Sequence, residues 1–228
     1  MCRLNPEMAR HVVRLNTESP PPPRRVSGKF EPPLVLEHTA LKRATISHLG
    51  SPSKALIDVA DKLTGISQYP VLDAGCGFGR NAAALASRGL SVVCVDQNLG
   101  RLHTLVRLAS SHIAEFQQPI PKVGQLYPLL ANLKQSQWPF AQKCFGAIIC
   151  VHFLDIGLLD AFRASLVTGG HLYIETFGGH GGNYLELPKI GQLRDLLLPH
   201  FQLSIYRERK VGPTDYRAVS VRLFGTKT

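Results

Sequence analysis

The chain has 228 residues, 44% of them hydrophobic, and a formal charge of +10. That suits one ordinary domain with short additions, and the apolar content is enough for a buried core and too high for a disordered chain. No apolar run reaches the roughly 18 residues that would span a bilayer, no secretory h-region follows the start, and five cysteines without Cys-x-x-Cys or His-Glu-x-x-His spacing point to a reduced compartment without zinc.

Residues 1–30 carry six basic residues (Arg3, Arg10, Arg14, Arg24, Arg25, Lys29) against Glu7 and Glu18. They also contain the run Ser-Pro-Pro-Pro-Pro-Arg-Arg, which cannot join a helix or a sheet interior. The segment is expected to be a flexible basic tail with a short helix in PEMARHVVRL, ahead of a domain at 31–228. The expected location is cytoplasmic. An Arg-rich, acid-poor start leaves organelle targeting open, although Glu7 and Glu18 argue against it.

From about 35 to 65 the pattern predicts helix. Ser51 or Ser53 caps a helix near Lys54, with Ala55, Leu56, Val59, Ala60 and Leu63 on one face. VLDAG then reads as a buried strand, GRNAAALASRG as a helix closed by Gly89, SVVCVD as a second strand and LGRLHTLVRLASSHIAEF as a second helix. VGQLYPLLANL gives a weak strand and FGAIICVHFL a strong one. GLLDAFRASLVTGG predicts a helix ending at Gly169-Gly170, followed by the strand HLYIETF and the helix LRDLLLPHF. FQLSIYRERKV and YRAVSVRLFGT form an antiparallel pair. The fold class expected is α/β: a Rossmann-like, doubly wound, mostly parallel seven-stranded sheet with a C-terminal antiparallel hairpin and helices on both faces.

The glycines Gly75, Gly77 and Gly79 follow the first buried strand and allow a ligand to approach main chain. Asp96, which ends the next strand, can accept hydrogen bonds from both hydroxyls of a ribose. The spacing is G-x-G-x-G rather than the dinucleotide G-x-G-x-x-G. Asp73, two residues before the first glycine, repels phosphate and suits an amino-bearing ligand. S-adenosylmethionine has a ribose, an ammonium group and a sulfonium, and no phosphate.

VLDAGCGFGRNAAALASRGLSVVCVDQN, residues 71–98, resembles the first motif of class I S-adenosylmethionine-dependent methyltransferases. GCGFGRNAAALASRG is similar to the tellurite-resistance type and related small methyltransferases. The class resemblance covers about residues 50–228 and implies a methyltransferase. It places Asp73, Gly75, Cys76 and Gly77 at the methionine end of the cofactor, Asp96 at the ribose, and Gln97 and Asn98 beside the adenine. Where the family often carries an acid for the adenine amino group, this chain offers Asn132 and Leu133. The family also puts backbone near Val151 and His152 against the cofactor.

Arg80 is a candidate for the ligand side or for a surface contact, and Cys76 reads as a small filler. His152 and Tyr184 are the candidate catalytic residues for an acceptor that must lose a proton. Glu175, Thr176 and Phe177 are expected over the cofactor, followed by a glycine-rich loop through Gly178, Gly179, Gly181 and Gly182. The absence of base-methylation motifs favours a small-molecule acceptor. The alternatives are an RNA or protein methyltransferase that uses the tail and the Tyr-Arg-Glu-Arg-Lys cluster at 206–210, or a non-catalytic cofactor-binding subunit.

Overall fold

A computed structural model describes residues 34–35, 39–40, 50–64, 66–111, 124–135, 137–178 and 184–228. The expected tail, its short helix and residues 179–183 lie outside these. Among the described residues nine strands form one sheet. Two are short, β1 (Leu34–Val35) and β2 (Thr39–Ala40). The rest are β3 (Val71–Ala74), β4 (Val92–Asp96), β5 (Gln125–Leu130), β6 (Phe145–Val151), β7 (Leu166–Glu175), β8 (Phe201–Lys210) and β9 (Val219–Lys227). These seven run in the order β5-β4-β3-β6-β7-β9-β8. Strands β5, β4, β3, β6 and β7 are parallel, and β9 is antiparallel to both β7 and β8. This is the expected doubly wound sheet with its C-terminal hairpin.

Central parallel strands are covered on both faces and need unbroken apolar runs. Every residue of β3 and β6 is buried, and Asp73 is the one carboxylate among them. On one face, Leu56 of α1 (Lys54–Ile57), Ala60 and Leu63 of α2 (Ala60–Thr64), and Val59 between them pack with alanines of α3 (Arg80–Ala86), with Leu102 and Leu105 of α4 (Leu99–Ser111), and with Tyr173 and Phe224. On the other, Leu159 and Phe162 of α5 (Leu159–Ser165) and Leu193 and Leu197 of α6 (Gln192–Leu197) pack on Leu72, Ile148 and Leu172. Ser53 caps α1, its Oγ accepting from the Leu56 N–H at 3.3 Å.

Two expectations need correction, and the strand expected from a weak signal is present. The helix expected from about 35 is strand at β1 and β2, which pair antiparallel with β5, and helix begins only at Lys54. The weak strand is a regular six-residue β5. Its Pro128, which has no N–H to give, falls between the residues paired with β1 (Leu129, Leu130) and those paired with β2 (Gln125, Leu126). The helix expected through Gly170 stops at Ser165, and Leu166, Val167 and Thr168 pass directly into β7. Gly169, at φ +78°, and Gly170 lie inside that strand, whose pairing with β6 slips between Phe145 and Ala147. The glycine pair therefore marks a strand irregularity and not a helix end.

β3 sits between β4 and β6, so the chain winds outward from it in both directions. In such sheets ligands bind outside the carboxyl ends of the strands at this switch point.

Candidate active site

Two cavities lie along that edge, and His152 borders both. The smaller, about 130 Å3, is walled by Gly75 after β3, Asp96 and Gln97 at the end of β4, Asn132 and Leu133 after β5, and Phe153 after β6. These residues meet because their parallel strands all finish on one edge.

Asp96 is buried, and its carboxylate already braces the glycine loop. Its Oδ2 accepts from the Gly77 N–H at 2.9 Å and its Oδ1 from the Asn98 N–H at 2.8 Å. Arg101 stands 3.8 Å away and also lines the cavity. A carboxylate has about four acceptor sites, so two donors leave room for two more.

The three glycines do different work. A Cβ on Gly75 would sit 2.3 Å from the Phe153 ring, and one on Gly79 would sit 2.6 Å from Leu105 of α4. On Gly77 it would meet nothing within 4 Å among the described residues. Two of the glycines are therefore demanded by packing within the chain, and the third leaves bare main chain open. All three have positive φ.

Asp73 is 1% exposed, and its Oδ2 has no hydrogen-bond partner among the described residues. Burial pushes its carboxyl up to about 7, and the Asp96 charge adds to the rise, while the Ala82 backbone N–H and Arg80 oppose it. A buried acceptor without a donor is costly, and it is a ready partner for a cationic ligand. Cys76 is also buried, and burial raises its thiol well above the ordinary range. It is a filler and not a thiolate nucleophile.

The larger cavity, about 630 Å3, is lined by His152, Glu175, Thr176 and Gly178 and by Arg207, Arg209, Ser220 and Arg222 of the hairpin. His152 has φ +61°, donates its backbone N–H to the Glu175 carbonyl at 2.7 Å and stacks on Phe177 with ring centroids 4.2 Å apart. Burial lowers its imidazole below the usual value, with Glu175 opposing and Arg80 assisting. Glu175 accepts from the Ser53 hydroxyl at 2.5 Å and the Tyr173 hydroxyl at 2.6 Å, and lies 3.4 Å from Arg222. Burial works against its ionisation, but these hydroxyls and Arg222 outweigh it and hold the carboxyl below the usual range.

Some candidates stand apart from both cavities. Arg80 donates to the Ser51 carbonyl at 2.9 Å, tying the glycine loop to the chain ahead of α1. Val151 is buried in the core beside Cys76. Tyr184 packs edge-to-face on Tyr216, with ring centroids 5.3 Å apart. Asn132, by contrast, lines the smaller cavity and also bridges its own turn, its Oδ1 accepting from the Lys134 N–H at 3.1 Å.

Residues 72–173 match the family model of a methyltransferase domain. No protein of curated function matches the chain in sequence. Among solved structures, the chain is 13% identical to the MccD protein, covering 78% of this chain and 100% of that one, at a TM-score of 0.52. It is 18% identical to TehB from Haemophilus influenzae, covering 75% and 62% of the two chains, at a TM-score of 0.50. It is 17% identical to the tRNA (m1A58) methyltransferase TrmI from Aquifex aeolicus, covering 80% and 74%, at a TM-score of 0.50. At such identities the likeness is one of fold.

Residues 72–173 are a methyltransferase domain of the class I S-adenosylmethionine-dependent kind.

S-adenosylmethionine is the methyl donor of this methyltransferase. The site fits it: Asp73 Oδ2 is an orphaned acceptor suited to an ammonium, Gly77 leaves open main chain, and Asp96 retains acceptor capacity. The cavity of about 130 Å3 holds a part of such a molecule and not the whole. Arg101 and Phe153 line the methyltransferase's smaller cavity, and sequence reasoning passed over both. The available signal for Phe153 was its place directly after His152 in the loop that follows β6. Among the described residues no helix is long and apolar enough to cross a membrane.

Proposed function

We propose that this methyltransferase modifies a small molecule held in the larger cavity, with the donor on the opposite side of His152. The observation that supports this is the shared wall, a single imidazole bordering two cavities on one sheet edge. A volume of about 630 Å3 is that of a small-molecule site.

The donor, when bound, supplies a methyl group already activated by a positively charged sulfur. Asp73, Gly75, Cys76 and Gly77 hold its amino-acid end, with Asp73 Oδ2 receiving the ammonium. Asp96 takes the ribose hydroxyls on the acceptor sites that Gly77 and Asn98 leave free. Gln97, Asn132 and Leu133 border the base, and Arg80 steadies the loop through Ser51. The protein's main contributions are alignment and exclusion of water. His152, kept neutral by burial, accepts the proton of an oxygen or nitrogen acceptor; a thiol asks little of it. Tyr184 packs on Tyr216, so the proton falls to His152.

Single-turnover transfer from methyl-labelled donor to pools of metabolites, RNA and protein tests the reading. Label in the metabolite fraction is expected, and label confined to RNA or protein overturns the acceptor class. No transfer to any pool, with donor binding intact, identifies a binding subunit. His152→Gln is expected to slow the single turnover by about 10- to 100-fold without weakening donor binding.

A further inference from the structure

We infer that the acceptor carries an oxyanion, a carboxylate or a phosphate, and that Arg207, Arg209 and Arg222 bind it. The inference rests on the reading of the larger cavity as the acceptor site.

The register of three strands creates the cluster. Glu175 of β7 is opposite Arg222 of β9, and Arg222 is opposite Arg207 of β8. One row further along, Ser220 is opposite Arg209. Strand alternation puts Arg207 and Arg209 on one face of β8, the face of Ile205, and Arg222 and Ser220 on the matching face of β9, the face of Phe224. Ile205 and Phe224 belong to the apolar core. Where that core ends, at the edge of the sheet, guanidinium groups replace it and line the cavity.

The charges there do not balance. Arg222 reaches Glu175 at 3.4 Å, but Glu175 is already shared with Ser53 and Tyr173. The other acid, Glu208, is spent on the Gly191 N–H and the Tyr206 hydroxyl. Arg207 and Arg209 are exposed and have no ion pair or side-chain hydrogen bond among the described residues. Like charges directly opposite on paired strands repel, and Arg207 faces Arg222 in that way. The Arg222 Nε is buried without a partner. An oxyanion seated between these groups removes the repulsion and satisfies that donor. The planar guanidinium fork matches a carboxylate or phosphate with two parallel hydrogen bonds. The three groups line one concave space, which suits a small acceptor better than an RNA backbone, where contacts spread along many phosphates.

The test uses the full chain loaded with adenosylhomocysteine, titrated calorimetrically with benzoate, phenyl phosphate and the uncharged benzamide. Benzoate or phenyl phosphate is expected to bind and benzamide is not; the one that binds more tightly identifies the source of the oxyanion. Arg207→Gln/Arg209→Gln is expected to weaken that binding by about tenfold or more, with adenosylhomocysteine affinity changed by less than about twofold. Arg207→Lys keeps the charge, loses the fork and gives an intermediate loss. Equal binding by wild type and double variant, or binding of neither probe, overturns the inference. In that event an intact adenosylhomocysteine titration shows that the donor half stands, and the labelled-pool experiment decides the acceptor reading separately. Loss of single-stranded RNA binding in the double variant, with both small probes unaffected, also overturns it.

Discussion

On the β3–β5 side of His152 the wall is built largely on the ends of parallel strands, where Gly75, Asp96, Asn132 and Leu133 are set, with Arg101 and Phe153 reaching in beside them. On the β7–β9 side it is long side chains standing on a pleated face, with Glu175, Arg207, Arg209 and Arg222 in register across three strands. A wall set on strand ends cannot shift without moving the strands behind it. A wall of exposed side chains can be rewritten one residue at a time while the sheet stays as it is. The first arrangement suits a ligand that stays constant, and the second suits the partner that sets specificity.

The comparison is most sharply tested at Asp73. Burial raises its folded carboxyl to about 7 from 3.8, so the folded protein keeps a proton that the unfolded chain releases. The contribution of this one group to stability is full below about pH 4 and is lost as pH rises through about 7, by on the order of 4 kcal/mol in the ligand-free protein. Asp73→Asn flattens the slope, which urea unfolding across that range will show. With the donor's ammonium on Asp73, as proposed, binding favours the ionised carboxylate, so adenosylhomocysteine affinity rises with pH up to about 7 and binding below that releases a proton. Calorimetry in buffers of different ionisation enthalpy measures that proton.

Asp96→Ala should cost about 3 kcal/mol of adenosylhomocysteine affinity, roughly 100-fold, because it also strands the Gly77 and Asn98 N–H groups. Gly75→Ala should lower stability by about 2–3 kcal/mol through its positive φ and the Phe153 contact. Adding Phe153→Ala relieves the contact and leaves the φ cost. Gly77→Ala meets open space and should cost only about 1 kcal/mol, read as a small drop in melting temperature. At the bottom of the scale, Arg209→Gln should change stability by no more than about 0.5 kcal/mol. A large loss there would show that the arginine wall is structural and erase the distinction between the two halves.

How much could be read ahead of the structure follows from the same difference. Gly75, Gly77 and Asp96 belong to one βαβ unit, and adjacent parallel strands turn that spacing directly into the contact between Gly77 and Asp96. Doubly wound topology and the hairpin were legible because continuous apolar runs alternate with helical ones. What Gly75 and Gly79 pack against was not, since Phe153 and Leu105 arrive from other elements. Nor was the row Glu175–Arg222–Arg207, because the register of β7, β9 and β8 decides it and no local pattern encodes that register. The end of α5 was misread because Gly169-Gly170 has the form of a helix stop, while the β-branched Val167 and Thr168 before it had already turned the chain into strand.

His152 is a partition between two compartments, held in a left-handed backbone angle and stacked on Phe177. Whatever occupies one compartment presses on the same imidazole as whatever occupies the other. Thermodynamic reciprocity then makes the two influences equal in size. The factor by which adenosylhomocysteine alters acceptor affinity is the factor by which acceptor alters adenosylhomocysteine affinity.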